Sequence, residues 1–289
     1  MYAVTGITGQ VGGATARHLL EAGQSVRAVV RNPGKVAPWI RKGCEVAVAD
    51  MLEREALATA FDRVEGLFLL VPSLFDPSDG FPEIRAILDA LEFAIEKARP
   101  GRVVCLSTIG AQVTRPNLLN QLGLMEQRFV GLSRPTAFLR AAWFMENFVP
   151  DIRAARDEGV FRSFLQPLDH AIPMVATDDI GSVAAALLEE NWSGMRTVEL
   201  EGPELIGGND VGHALASVLG HPVRAEVVPR DEWERAFRAG GMKNPTPRIQ
   251  MIDGFNEGWI AFSGEAEHRQ GATTLERVLA RVVESSQAR

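Results

Sequence analysis

The chain has 289 residues, 46% of them apolar, enough for one large α/β unit or a main domain with a smaller addition. A formal charge of −7 argues against a nucleic-acid surface, and no apolar stretch reaches the roughly 18 residues that a membrane span needs. Cys44 and Cys105 both lie in apolar, strand-like runs and read as buried thiols of a reducing compartment, with neither a disulfide framework nor a metal cluster.

Tyr2-Ala3-Val4 starts a core strand at once, which leaves no room for a signal peptide and implies a cytoplasmic protein. Thr5-Gly6-Ile7-Thr8-Gly9-Gln10-Val11-Gly12-Gly13 follows, and a helical pattern runs from Ala14 to Ala22. Strand, glycine-rich turn and helix form a dinucleotide-binding pattern. Gly6 lets the chain turn off the strand, Gly9 lets a diphosphate approach bare backbone, and Gly12 lets the helix lie close to the sheet. Free N–H groups and the positive end of the helix dipole then face the phosphates.

Ser25 to Val30 is a second strand, and Arg31 comes directly after it, with Lys35 one turn on. An acidic residue there would bind a ribose 2′-hydroxyl; a guanidinium instead suits a 2′-phosphate, so NADP(H) is favoured over NAD(H). Cys44 to Ala49 is a third strand, ending at Asp50-Met51, and Leu52 to Phe61 is helical. Gly66 to Val71-Pro72 is a fourth strand, apolar on both faces as a central parallel strand should be. The loop after it carries Phe75 and Phe81 at the carboxyl end of the sheet, where they line a pocket or pack the loop down.

Glu83 to Ala98 is a helix, Arg102 to Ser107 a fifth strand closed by Thr108, Asn117 to Leu132 a helix and Thr136 to Arg140 a sixth strand. Gly23, Gly101 and Gly131 read as helix C-caps. The alternation predicts a Rossmann-like, doubly wound parallel sheet with helices on both faces. Residues 1–150 are expected to form the dinucleotide-binding domain, its sheet completed by parts of 170–200. Residues 151–289 are expected to form a smaller α/β lobe on the substrate side. There, Gly159 to Phe164, Ala171 to Val175, Thr197 to Glu201 and Val223 to Val228 read as strands. Asp178 reads as the cap of a helix to Glu190, Asn209 to Leu219 as a second helix, and Arg230 as the start of a third. The remainder reads as helical, with a Pro245–Pro247 loop placed to lid the cleft and Arg269 to Leu275 leading into a last helix.

Side chains able to do chemistry are few. Ser107 and Thr108 put hydroxyls at the ligand edge of the sheet, to serve as weak donors or only as caps. His170 follows Asp169 in a loop, as a catalytic pair or a surface turn. None of the five histidines has metal-ligand spacing. Trp143, Phe144 and Phe148 follow the sixth strand and wall an aromatic site or pack the core, while Asn147 ties the loop or touches substrate.

With these residues in place, the chain resembles the NmrA-like group of atypical short-chain dehydrogenase/reductases. The resemblance rests on Thr5 to Gly12, Val29 to Pro33, Ala49-Asp50, Leu106 to Ala111, Ala137 to Phe148, Pro173 to Gly181 and Val198 to Pro203. It implies that Gly6, Thr8, Gly9, Gln10, Val11 and Gly12 hold the diphosphate of NADP(H) and that Arg31 holds the 2′-phosphate. It further implies that Asp50 and Met51 flank adenine and that Val71 and Pro72 lie along the ribose. Ser107 and the turn Ala141-Ala142-Trp143-Phe144 would frame the nicotinamide. The chain also departs from its relatives. Its only tyrosine is Tyr2, it has no Tyr-x-x-x-Lys, and Gln121 to Met125 lacks the lysine or histidine that many such reductases keep a turn before a glutamate resembling Glu126. The expected function is NAD(P)H-dependent hydride transfer to an electron-poor, quinone-like aromatic acceptor without a tyrosine–lysine acid. The alternatives are a non-catalytic NAD(P) sensor acting through a protein partner and a biosynthetic tailoring reductase. A homodimer is compatible with each.

Overall fold

The computed structural model describes residues 1–287. Strands β1 (Tyr2–Thr5), β2 (Val26–Val30), β3 (Glu45–Val48), β4 (Gly66–Leu69), β5 (Val103–Thr108) and β6 (Thr136–Ala141) open the chain. Between them run helices α1 (Gln10–Glu21), α2 (Ala37–Arg41), α3 (Arg54–Ala60), α4 (Pro82–Ala98) and α5 (Asn120–Phe129). The second half holds β7 (Trp143–Phe144), α6 (Ile152–Glu158), β8 (Val160–Ser163), β9 (Ile172–Val175), α7 (Thr177–Glu189) and β10 (Met195–Glu201). After these come β11 (Leu205–Ile206), α8 (Gly208–Leu219), β12 (Arg224–Val227), α9 (Trp233–Ala239), α10 (Thr246–Asn256), β13 (Glu267–Gln270) and α11 (Leu275–Gln287).

Eight strands form one parallel sheet in the order β13-β10-β6-β5-β4-β1-β2-β3. The order reverses between β1 and β4, and such a switch point opens a crevice at the carboxyl ends of the strands. Alternation along β4 separates two cores. Phe68 joins Val4, Leu19 and Ile180 on the side covered by α1 and α7, while Leu67 and Leu69 join Leu57, Ile84 and Leu91 on the side covered by α3 and α4. A third core surrounds the fully buried Trp233, whose Nε1 donates to Val228 O at 2.8 Å. Among the described residues no helix is long and apolar enough to cross a membrane.

Several sequence expectations are corrected. Helix α1 starts at Gln10 rather than Ala14, because its opening glycines are helical. Asp178 is not the cap of α7. The helix begins at Thr177, whose N–H and Oγ1 donate to Glu146 at 2.9 and 2.6 Å. Asp178 instead meets Arg17 at 3.2 Å, and Asp179 accepts from Thr273 N and Oγ1 at 2.9 and 2.8 Å. The helix expected over 117–132 is shorter, because Asn117 Oδ1 accepts from Leu119 N at 2.7 Å and shapes a turn ahead of α5. Pro245 and Pro247 begin α10 rather than marking a free loop, as suits residues whose fixed φ fits a first helical turn. Of the three glycines read as C-caps, only Gly23 has a positive φ, +77°. Strand β13 was not expected. It is polar throughout, and it is held against β10 by backbone pairing and the Arg196–Glu267 ion pair, and to the end of α7 by Arg269–Glu190.

Candidate active site

The glycine turn sits at the switch point. Thr5 fixes its root, with Oγ1 accepting from Leu70 N at 2.8 Å across to the end of β4. Gly6 has φ +65°, and Gly9 N donates back to Gly6 O at 2.9 Å. At Gly12 an added Cβ would stand 2.4 Å from Gly6 O and 2.7 Å from Thr5 O, so only glycine lets α1 run this close to the turn. No side chain caps α1, and its first turn carries no acidic residue. The N–H groups at the start of a helix have no partner within it, so here they are left for an anion. Thr8, Gly9 and Gln10 are exposed to the crevice. The cradle fits a dinucleotide diphosphate.

At the far end of the crevice, Asn32 Oδ1 accepts from Gly34 N at 2.8 Å and curls the chain after β2. Arg31 and Lys35 stand exposed on that turn, and among the described residues Arg31 makes no ion pair or hydrogen bond. Asp50 shapes its own turn, with Oδ1 accepting from Leu52 N at 3.0 Å. Met51 is half-buried against the α3–α4 core, Val71 is buried and Pro72 half-buried.

A cleft of about 230 Å³ opens where β4, β5 and β6 end. Its walls are mostly apolar: Val71, Phe75, Ala142, Trp143, Met251 and Phe255. Trp143 meets Phe255 edge to face at 5.0 Å and 85°, a favoured aromatic geometry. Trp143 Nε1 is buried without a partner. Phe144 and the exposed Asn147 also reach the cleft. Of the two loop aromatics, Phe75 lines the cleft, whereas Phe81 packs on the α3–α4 core with φ +56°. Tyrosine, lysine, histidine, aspartate and glutamate are all absent from the lining. Among the described residues no group of three His, Cys, Asp or Glu side chains stands where it could hold a metal ion.

Ser107 is the polar floor of this cleft and is 2% exposed. Its hydroxyl donates to Glu126 Oε1 at 2.5 Å. Arg140 grips both oxygens of Glu126, at 3.0 and 2.7 Å, and lies 3.6 Å from Glu199. Register explains the grouping: Ser107, Arg140 and Glu199 are neighbours in one row across β5, β6 and β10. The hydrogen bonds that Arg140 donates to Glu126 hold its guanidinium above its ordinary pKa. Burial pushes the Glu199 carboxyl up, but hydrogen bonds from Ser263 and Gly264 and the Arg140 charge outweigh it and leave the pKa lowered. With its proton committed to Glu126, the Ser107 hydroxyl has only lone pairs left to offer the cleft.

The other candidate donors are engaged as well. Thr108 Oγ1 donates to Ile109 O at 3.1 Å. Gln121 spends its amide on the loop after β4, accepting from Leu74 N at 3.1 Å and donating to Leu74 O at 2.9 Å. His170 stands outside the cleft lining, its Nε2 donating to Phe255 O at 3.0 Å, so it steadies α10. Tyr2 is buried at the amino end of β1, the opposite edge of the sheet, and burial pushes its phenol pKa up. The same loop is fastened to the C-terminal part of the chain, where Asp76 accepts from the backbone N–H of Lys243 at 3.0 Å and Asn244 at 2.6 Å.

Sequence reasoning missed Met251 and Phe255, although their spacing of four on one helix was visible. It noted Glu126 only by resemblance and gave no role to Arg140 or Glu199.

Comparison with known proteins agrees with this geometry. Residues 6–132 match a family model described as NAD(P)H-binding. The chain is 27% identical over 259 residues to an NAD(P)H azoreductase of Xenophilus azovorans, covering 89% of this chain and 85% of that one. It is 25% identical over 244 residues to quinone oxidoreductase 2 of Escherichia coli, covering 84% and 82%. Among solved structures, the fold matches the E. coli NADPH-dependent quinone oxidoreductase complexed with NADPH at TM-score 0.81 and 22% identity, covering 98% of this chain and all of that one. A Citrobacter triphenylmethane reductase matches at TM-score 0.79 and 23% identity, covering 98% and 99%.

Proposed function

We propose that this chain, which resembles the NmrA-like atypical short-chain dehydrogenase/reductases and matches an NAD(P)H-binding family model over residues 6–132, is an NADPH-dependent reductase of electron-poor, quinone-like aromatic compounds. The observation that carries the proposal is the cleft itself: walled by Trp143, Phe255 and Phe75, with a serine floor whose proton is already committed to Glu126.

When bound, the reduced nicotinamide supplies a hydride; the rest of the chemistry falls to the protein. Reduction of an ordinary carbonyl needs an acid for the developing alkoxide. The cleft lining offers no such acid. A quinone delocalises the incoming charge over its ring and can take its proton later from water. The protein then needs only to bind, orient and dry the reactants. The glycine turn and the uncapped start of α1 hold the diphosphate, and Arg31 and Lys35 favour a 2′-phosphate. Ser107 accepts a hydrogen bond at the cleft floor, and Trp143 with Phe255 stacks the acceptor. The nature of the azoreductase and quinone oxidoreductase relatives supports the same class of acceptor.

Purified protein, NADPH and a panel of quinones, followed by cofactor absorbance, tests the proposal. Turnover that saturates with quinone is expected. Tight NADPH binding without oxidation of any quinone would overturn it and leave a non-catalytic cofactor sensor.

A further inference from the structure

Among the arginines on or beside α9 and α10, one stands apart; Arg235 pairs with Glu232 at 3.2 Å, and the others nearby are engaged too. Arg230 is held bidentate by Asp253 at 2.6 and 2.7 Å, Arg238 bonds Glu234 at 2.9 Å, and Arg115 bonds Glu257 at 3.2 Å. Arg248 has neither a hydrogen bond nor an ion pair among the described residues. Its guanidinium lies instead against two aromatic rings, 4.7 Å from the centre of Phe237 and 6.0 Å from that of Phe75.

Phe75 is 59% exposed and forms part of the cleft wall. On α10, Arg248 stands three residues before Met251 and seven before Phe255, the two residues that α10 gives to the cleft. Positions i, i+3 and i+7 share a helix face, so the guanidinium lies on the side of α10 that faces the cleft. Contact with ring faces leaves the in-plane N–H groups of a guanidinium free, and these five donors form a fork suited to an oxyanion. Burial pulls the Arg248 pKa below its ordinary value, the mark of a cation short of both water and counter-charge.

We propose that Arg248 is a specificity-determining residue that selects acceptors bearing an anionic substituent, a carboxylate or sulfonate on the aromatic ring. The proposal rests on the reading of the cleft as an aromatic-acceptor site. The anion would complete the hydrogen bonding that the chain leaves open at the rim, while the ring lies against the wall that Trp143 and Phe255 form together.

The test compares naphthoquinone with naphthoquinone sulfonate. Binding is measured by calorimetry with the oxidised cofactor present, and turnover separately with NADPH. Wild-type protein should bind the sulfonate about tenfold more tightly than the neutral quinone, the effect of one charge-assisted hydrogen-bond pair. The ratio should fall to near one in Arg248→Gln and return in part in Arg248→Lys. The NADPH affinity of each variant reports that it is folded. A wild-type ratio near one, or a ratio that Arg248→Gln leaves intact, would overturn the assignment even if both quinones are reduced. A preference that depends on Arg248 but comes with no NADPH oxidation would sustain the assignment and remove the reductase reading instead.

Discussion

Ser107 and Arg140 share one oxygen: Glu126 Oε1 accepts from Ser107 Oγ at 2.5 Å and from Arg140 Nε at 3.0 Å. The cleft floor is therefore oriented by a buried ion pair rather than by a neighbouring acid. Removing Glu126 as Glu126→Ala takes two hydrogen bonds from the Arg140 cation, which is 9% exposed, leaves it only Glu199 at 3.6 Å, and should cost about 3 kcal/mol in denaturant unfolding. Glu126→Met with Arg140→Met should cost less than the sum of the single variants, because it removes both charges. Ser107→Ala should cost only about 1 kcal/mol while lowering kcat/KM for quinone.

Gly12→Ala should lose NADPH binding and stability together, because its Cβ would stand 2.4 Å from Gly6 O. Backbone has to shift there, at about 1–3 kcal/mol. Gly131→Ala is the control. Its Cβ meets nothing within 4 Å, so thermal unfolding and an NADPH titration should both stay near wild type.

Much of this was legible in the sequence, and what was not has physical reasons. The alternation of strand and helix is written in local apolar runs such as 67–71, and the cofactor turn in the spacing of Gly6, Gly9 and Gly12. The row Ser107, Arg140, Glu199 is set by register across three strands, and no local pattern announces it. Strand β13 carries Glu, His, Arg and Gln, so it lacks the alternation that marks a half-buried strand. Helix α10 packs on several sides, which blurs the stripe that would have singled out Met251 and Phe255.

Arg31→Glu should weaken NADPH binding by more than tenfold and NADH binding much less, since it replaces a cation by an anion where the 2′-phosphate is placed. Arg31 is exposed and unpaired among the described residues, so stability should change by less than about 0.5 kcal/mol. Equal losses for both cofactors in fluorescence titrations would remove this selectivity role.

Asp151 predicts a pH dependence. Burial pushes its pKa from 3.8 to about 6. Below 3.8 the carboxyl is protonated in both folded and unfolded chains and Asp151→Asn should change little. As pH rises from there through 6, the unfolded chain ionises first, and the wild type loses stability relative to Asp151→Asn. The variant should be more stable by about 1–3 kcal/mol at neutral pH, the upper figure being the full shift converted at 1.36 kcal/mol per unit. Melting curves across this range, showing a gap that opens with rising pH, are the check.

The cleft draws its two ends from separate stretches of chain. The ends of β4, β5 and β6 form one, on the side of the glycine turn, while α10, with Met251 and Phe255 in the lining and Arg248 beside them, forms the other and gives no strand to the sheet. Inheritance can therefore rewrite the acceptor end codon by codon while the dinucleotide end stays under its own steric constraint at Gly12. Substitutions along α10 can thus reshape one wall of the cleft without touching the turn at Gly12.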